Sequence, residues 1–181
     1  MEDRIIVTAF RPDRAIIELD AKTGDLIAAH PLPWKDSLPR GTIITRHNAR
    51  GPGPRDWVSA FFIGPGFFVY RDGVPTFYAY ADSVPFRSAR PPMEGDSARF
   101  AAHWIDVVEN ELYILFGGRP GSPLQAHEFP RRIDVYSMNG LLVRSYLLPT
   151  WTTGFALHGP LFAIPQNDPY PAILLIRPAG T

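Results

Sequence analysis

The sequence predicts an all-β protein assembled from short antiparallel strands. Short apolar runs rich in β-branched and aromatic residues recur along the 181-residue chain, and 20 prolines and 15 glycines are scattered between them. One hairpin pattern also occurs more than once in the sequence. With 45% hydrophobic and 20% charged residues, the composition is typical of a globular protein with a real core. We therefore expect a single domain over residues 1–181.

Strands are predicted where the apolar runs are bounded by Gly, Pro, Asn or Asp. The predicted strands are 5–9, 15–20, 25–30, 42–46, 57–63, 67–71, 76–81, 112–116, 133–137, 141–147, 154–157, 161–164 and 173–177. The stretch 97–109 places apolar residues at helical spacing, so a helix is one interpretation of it. A strand over 104–108 followed by a turn agrees better with the neighbouring segments. Residues 34–57 are predicted to be an irregular segment.

Two segments follow the same hairpin pattern. They are AIIELDAKTGDLIAAHPLPW at 15–34 and RIDVYSMNGLLVRSYLLPTW at 132–151. When Gly24 is aligned with Gly140, the two copies match without a gap from the glycine through the Leu-Pro that follows the second strand. Before the glycine one residue is skipped, so that Ile16 and Leu19 are aligned with Ile133 and Tyr136. Each copy is predicted to be an antiparallel hairpin with its glycine in the turn, where a positive φ is needed. Weaker copies of the pattern span 67–86 and 159–178.

The spacing of the apolar runs indicates how the strands are grouped. Runs that begin at positions 67, 112 and 161 are separated by 45 and 49 residues. This is close to the blade length of a β-propeller, in which four-stranded antiparallel sheets are arranged radially. Their aromatic side chains are expected to fill the spaces between stacked sheets. We predict a β-propeller-like fold of about four blades that forms an incomplete or a small ring.

The stretch from Ile105 to Arg177 is similar to the blades of six-bladed propellers of the NHL and TolB-like type. The resemblance rests on the Leu-Tyr-Ile-Leu strand from position 112 and on RIDVYSMNGLLVRSYLLP from position 132, which leads into a fresh strand. It implies a propeller fold and a ligand bound on one face of the ring. The chain is about two blades short of a ring of six. We therefore expect either a homodimer formed through the open blade faces or a terminal fragment of a longer propeller protein.

Charge and composition limit the possible partners. The chain has 18 basic and 18 acidic residues, so no net field attracts it to nucleic acid or to an anionic membrane. The sequence contains no cysteine, which excludes disulfides and thiolate chemistry. It shows neither a secretory signal pattern nor an apolar segment of transmembrane length, and these patterns leave the localisation open. The expected partner is a protein or a small molecule.

One basic segment is a candidate binding site. No acidic residue occurs between Asp36 and Asp56, whereas several basic residues fall in that interval. The candidate binding residues are Arg46, His47, Arg50 and Arg55. Guanidinium groups bind carboxylate or phosphate with paired hydrogen bonds, so the segment predicts a site for such an anion. The alternatives are a solvated loop, or arginines paired with acids from elsewhere in the fold.

Catalytic and metal motifs are not found in the sequence. The five histidines form no HxH or HExxH pair, and no GxSxG is present. The glycine-rich stretch at 49–56 precedes a predicted strand, so it lacks the helix N-terminus that would hold a phosphate. We predict no cofactor and no catalytic residues, and a non-catalytic binding or interaction module with an open ligand. The alternative implied by the resemblance is a metal-dependent lactonase or esterase of the gluconolactonase type, with a divalent ion in the ring centre.

Overall fold

The structure is a computed structural model that describes most of the chain. The described residues are 4–8, 12–32, 46–53, 55–62, 66–72, 74–82, 102–117, 131–166 and 170–177. Within them, the secondary structure consists of β-strands, turns and one short 3-10 helix, Pro12–Arg14. The predicted all-β class is confirmed. No helix in the described part of the chain is long and apolar enough to cross a membrane.

The strands form four antiparallel sheets in which neighbours in sequence are neighbours in space. The first sheet contains β1 (Arg4–Thr8), β2 (Ile16–Asp20) and β3 (Leu26–His30). The second contains β4 (Arg46–Arg50), β5 (Trp57–Phe61), β6 (Gly66–Arg71) and β7 (Val74–Ala79). The third contains β8 (Ala102–Val108), β9 (Glu111–Phe116), β10 (Arg132–Ser137) and β11 (Leu142–Leu147). The fourth contains β12 (Ala156–His158), β13 (Leu161–Gln166) and β14 (Ala172–Ile176). This architecture confirms the propeller-like prediction of about four blades.

Two of the sequence predictions need correction. The strand predicted over 42–46 continues beyond Arg46 to Arg50, and its residues 42–45 lie outside the described part. The segment 34–57 is therefore not irregular throughout. The helix interpretation of 97–109 is wrong for its described residues, because β8 is a strand paired with β9. That pairing buries Ile105 in the core between the second and third sheets, so tertiary packing overrides the helical spacing.

The hairpin repeat is confirmed at the level of the backbone. β2 pairs with β3, and β10 with β11, both antiparallel as predicted. Gly24 and Gly140 lie in the turns with φ values of 76° and 77°. Each hairpin also has a register shift at the same position of the repeat, directly before Leu19 in one copy and before Tyr136 in the other. The two copies are therefore equivalent structural units.

The weaker copies of the pattern are also antiparallel pairs. β6 pairs with β7, and Asp72 in the intervening turn has a φ of 50°. β13 pairs with β14, whereas the turn between them, residues 167–169, lies outside the described residues. Aspartate is one of the few residues other than glycine that tolerates this left-handed conformation. The left-handed turn residue at Gly24 and Gly140 thus has a counterpart at Asp72.

The sheets pack face to face in series, with an apolar core at each contact. The core between the first and second sheets contains Ala15, Ile16, Leu32, Trp57, Phe61, Phe68 and Tyr70. The core between the second and third contains Val58, Ala60, Phe67, Val69, Tyr80, Ala102, Ile105, Leu112, Ile114, Phe116, Tyr136 and Met138. The core between the third and fourth contains Leu115, Ile133, Val135, Leu148, Phe155, Phe162 and Ile164. The aromatic residues therefore pack between the sheets, as predicted.

The series has two ends. Among the described residues, no apolar cluster joins the fourth sheet to the first. The side chains on the outward faces of these sheets are accordingly accessible: 47% of Ile5 and 64% of Leu175 is exposed. The middle sheets are packed on both faces, whereas each terminal sheet is packed on one.

The two turn glycines allow a matched test of the packing between sheets. A side chain at Gly24 would meet no atom within 4 Å, so its replacement is penalised for the positive φ alone. A side chain at Gly140 would overlap the ring of Tyr78 from the second sheet. We expect Gly24→Val to lower the free energy of unfolding by about 1–2 kcal/mol, and Gly140→Val to lower it by more. Denaturant unfolding measures both losses, and equal losses would contradict the contact with Tyr78.

Candidate functional site

A cavity of about 250 Å³ lies between the first and second sheets. It is lined by Arg4, Ile6, Glu18, Asn48, Ala49, Arg50, Arg55, Asp56 and Trp57. These residues come from strands β1 and β2 on one side, and from β4, the following turn and the start of β5 on the other. The combination of an apolar wall with several convergent polar groups is typical of small-molecule sites.

The wall of the cavity in the first sheet is built around Glu18. This residue is only 5% exposed, and its carboxylate accepts hydrogen bonds from Arg4 Nη1 at 2.6 Å and from His30 Nε2 at 2.7 Å. Burial alone would raise the pKa of Glu18, but the hydrogen bonds from Arg4 and His30 outweigh it and hold the pKa below its ordinary value. The positive charge of Arg4 is thereby balanced by the carboxylate of Glu18 within the first sheet.

Trp57 supplies the aromatic wall of the cavity. Its indole ring stacks on Tyr70 at an interplanar angle of 16°, with the ring of His30 nearby. Trp57 is 3% exposed, and its indole nitrogen Nε1 is buried without a hydrogen-bond partner in the described part of the chain. A buried donor that lacks a partner costs about 1–3 kcal/mol. The nitrogen has almost no accessible surface, so Trp57 contributes its ring to the cavity wall.

The turn between β4 and β5 holds Arg55 at the cavity. Asp56 organises this turn: its backbone oxygen accepts from Gly51 N at 2.8 Å, and its Oδ2 accepts from Gly53 N at 3.2 Å. A Cβ atom at Gly51 would lie 2.6 Å from the Cβ of Asp56, so the close approach requires glycine. The glycine-rich stretch thus forms a hydrogen-bonded turn, in agreement with the interpretation that it is a loop and not a phosphate cradle.

Two cations of the cavity have no partner in the described structure. Among the described residues, the side chains of Arg50 and Arg55 form neither a hydrogen bond nor an ion pair. The lining contains three arginines, Arg4, Arg50 and Arg55, and two carboxylates, Glu18 and Asp56. Glu18 is paired with Arg4, whereas Asp56 accepts hydrogen bonds from neutral backbone N–H groups and keeps its negative charge. One positive charge is left in excess, which favours an anion, and guanidinium groups match carboxylate and phosphate in geometry.

The structure separates the four residues predicted from the basic segment. Arg50 and Arg55 lie together at the cavity. His47 lies on the opposite face of β4, with ring-centre distances of 6.0 Å to Phe62 and 6.2 Å to Trp104. Arg46 pairs with Phe61 in the strand ladder, and its side chain is outside the described part. A role of these residues in ligand binding stays a prediction.

Sequence reasoning missed the residues that complete the cavity, because they come from distant segments. One of them carried a signal in the repeat. Glu18 is aligned with Val135, which is fully buried between the third and fourth sheets. A carboxylate at a repeat position that is apolar in the other copy marks a departure from simple packing. Arg4, Asn48 and Trp57 carried no comparable signal.

Two further histidines, His47 in the second sheet and His103 in the third, are not part of the cavity lining. Burial lowers the pKa of His103 to about 4, with a further contribution from the charge of His47. Burial also lowers the pKa of His47. Both rings contact Phe62. In the described residues, no group of three or more His, Asp or Glu side chains is placed to hold a metal ion.

A second cluster of charges, in the third sheet, is satisfied internally. Arg144 donates two hydrogen bonds to the carboxylate of Glu111, and Arg144 Nε donates to the hydroxyl of Tyr146 at 2.6 Å. The hydroxyl of Tyr113 also donates to Glu111 at 2.8 Å, and burial together with this hydrogen bond raises the pKa of Tyr113 to about 12. The paired hydrogen bonds leave this cluster little capacity for a ligand.

Comparisons with known proteins identify the fold and no family. No protein-family model matches the chain, and no curated protein matches its sequence. A member of the DUF4221 family from Bacteroides vulgatus ATCC 8482 is similar in structure, with a TM-score of 0.62 at 12% identity. The match covers 98% of this chain and 62% of that chain. This chain therefore spans less than two thirds of the length of that protein.

Two computationally designed proteins are also similar in structure. The Ika4 protein matches with a TM-score of 0.55 at 14% identity, covering 99% of this chain and 88% of that chain. The Ika8 protein matches with a TM-score of 0.53 at 14% identity, covering 97% of this chain and 44% of that chain. At these identities the likeness concerns the fold alone. The function has to be argued from the cavity.

The lowered pKa of Glu18 predicts how the stability of the protein depends on pH. The pKa in the folded state lies below the ordinary value of 4.5, so the ionised carboxylate stabilises the fold fully above that value. The stabilisation is lost as the pH falls through the lower folded value. We expect the difference in unfolding free energy between the wild type and Glu18→Gln to be largest near neutral pH and to shrink in acid. A difference that stays constant between about pH 7 and about pH 3 would contradict this.

Proposed function

We propose that the protein is a non-catalytic binding module whose ligand is a small carboxylate- or phosphate-bearing molecule held between the first and second sheets. One observation carries the proposal. Arg50 and Arg55 have no ion pair in the described residues, and they line one cavity together with Trp57. Both guanidinium groups are hydrogen-bond donors, and an anion is the ligand that accepts from both.

The rest of the lining supports an anion with an attached apolar part. Ile6 gives the cavity apolar surface, and Trp57 adds an aromatic wall. A cationic ligand is disfavoured, because Glu18 already accepts from Arg4 and His30. Removing one of those donors would leave a buried charge without compensation.

The size of the cavity limits the ligand. Drug-sized ligands occupy pockets of about 300–1,000 Å³, and the cavity measures about 250 Å³. We therefore propose a compact ligand, such as a single-ring aromatic acid or the phosphate ester of a small alcohol or phenol. Both have a flat or apolar body for the wall at Trp57 and one anionic group for the arginines.

The resemblance to NHL and TolB-like propellers supports a binding role, since the resemblance implies ligand binding on one face of the ring. The lactonase alternative requires a divalent ion held by oxygen ligands. No set of residues in the described part of the chain favours it over binding. Metal analysis of the purified protein tests the alternative, which predicts one bound ion per chain.

Calorimetric titration with benzoate and phenyl phosphate tests the proposed ligand class. We expect Arg50→Ala and Arg55→Ala each to weaken binding about tenfold or more, because each removes a charge-assisted hydrogen bond worth about 1.5–3 kcal/mol. Trp57→Phe keeps an aromatic ring at the cavity wall, so it should weaken binding by a smaller factor. Arg14→Ala is the matched control, because Arg14 is an exposed arginine of the 3-10 helix outside the cavity lining.

The titrations also distinguish the sources of the anion. Binding of phenyl phosphate without benzoate assigns the site to phosphate esters, and the reverse result assigns it to carboxylates. Neutral benzamide shares the ring of benzoate without its charge, and it should bind weakly. Equal binding of benzamide and benzoate, or affinities that survive both arginine substitutions, would contradict the proposed anion site.

A further inference from the structure

The outward faces of the first and fourth sheets are both apolar. On the first sheet, two rows of paired residues face away from the second sheet: Ile5, Leu19 and Leu26 in one row, and Val7, Ile17 and Ala29 in the other. On the fourth sheet, the face directed away from the third sheet contains Ala156, Leu161, Ala163, Pro165, Ile173 and Leu175, with His158 at one end. Among the paired positions of these strands, His158 is the one titratable side chain on either face.

The sequences of the terminal strands are those of strands buried on both faces. β14 reads AILLI and is as apolar as β6 or β9, which lie between neighbouring sheets. Yet Ile173 is 72% exposed and Leu175 is 64% exposed. A contiguous apolar face of this kind usually marks a contact surface. The exposed apolar residues of the outer strand β11 differ, since Arg144 and Ser145 interrupt them.

The chain already contains the type of contact that these faces fit. Each sheet has one face directed toward the sheet that follows it in the chain and one directed toward the sheet that precedes it. At each of the three internal contacts, the following-side face of one sheet packs on the preceding-side face of the next sheet. The fourth sheet exposes its following-side face, and the first sheet exposes its preceding-side face. They are complementary members of the same repeated contact, and within one chain no described apolar cluster joins them.

We propose that two copies of the chain associate so that the fourth sheet of each copy packs on the first sheet of the other. The pair then closes as a ring of eight sheets with two equal contacts related by a two-fold axis. This arrangement covers all four outward faces at once. A different protein would have to present two different surfaces to do the same. Because the contacts are apolar, the association should be insensitive to salt.

Sedimentation and light scattering of the full chain test the proposal. We expect the wild type to be dimeric at micromolar concentration. Ile5→Glu on the first sheet and Leu175→Glu on the fourth should each weaken dimerisation at least about tenfold, because each buries a charge without a partner. Both positions are exposed within one chain, so the variants should keep the circular dichroism of the wild type. Leu147→Glu is the control: Leu147 is 80% exposed on β11, outside both faces, and its substitution should leave dimerisation unchanged.

A mixing experiment distinguishes this contact from other modes of association. In a dimer of a single charged variant, each contact between a first sheet and a fourth sheet includes one substituted face. In a mixture of the two variants, the intact fourth sheet of the Ile5→Glu chain meets the intact first sheet of the Leu175→Glu chain. We therefore expect mixed dimers that neither variant forms alone.

Four results would overturn the proposal. The first is a wild type that stays monomeric up to about 100 µM, which would leave the faces to another partner. The second is a dimer that neither charged substitution weakens. The third is a mixture that behaves as the separate variants do. The fourth is growth beyond the dimer with rising concentration, which would show that the contact does not close.

Discussion

Face-to-face apolar packing between consecutive sheets is the interaction on which the structure depends. A sheet of three or four strands has two faces and cannot bury an apolar face alone. In the middle sheets, β5 and β6 are buried along nearly their whole length, because one face meets the preceding sheet and the other meets the following one. The turns reinforce this packing: Arg71 of the second sheet donates hydrogen bonds to Met138 O at 3.1 Å and Asn139 Oδ1 at 3.0 Å in the third.

The cavity exists where that packing departs from its repeat. At the contact between the third and fourth sheets, the repeat position holds Val135 in the apolar core. At the contact between the first and second sheets, the equivalent position holds Glu18, whose carboxylate requires Arg4 and His30 as partners. A hydrogen-bonded carboxylate cannot interlock with its neighbours as valine does, so polar groups and open space lie beside the apolar core at this contact. Local departures of this kind from a consistent pattern are expected at functional sites.

Features that depend on residues close together in the sequence were predicted, whereas features that depend on residues from distant segments were not. The hairpins around Gly24 and Gly140 were predicted because turn chemistry and strand alternation lie within about 20 consecutive residues. Residues 47–50 of β4 were not predicted as a strand, because the sequence RHNAR shows no apolar alternation and pairing with β5 specifies the strand. The cavity was not predicted because its walls come from two sheets, and of the four predicted binding residues Arg50 and Arg55 are the ones that the described structure places in its lining. Glu18 was the one detectable sign, through its mismatch with Val135.

Native-state hydrogen exchange of the backbone amides, at a concentration where single chains predominate, tests the account of the fold most directly. If consecutive sheets stabilise one another, the slowest exchange should occur in β5, β6, β9 and β10, whose sheets have neighbours on both sides. The first and fourth sheets, each packed on one side, should open at lower free energy. Equal protection in all four sheets, or the slowest exchange in β2 and β13, would contradict the claim that packing in series holds the fold together.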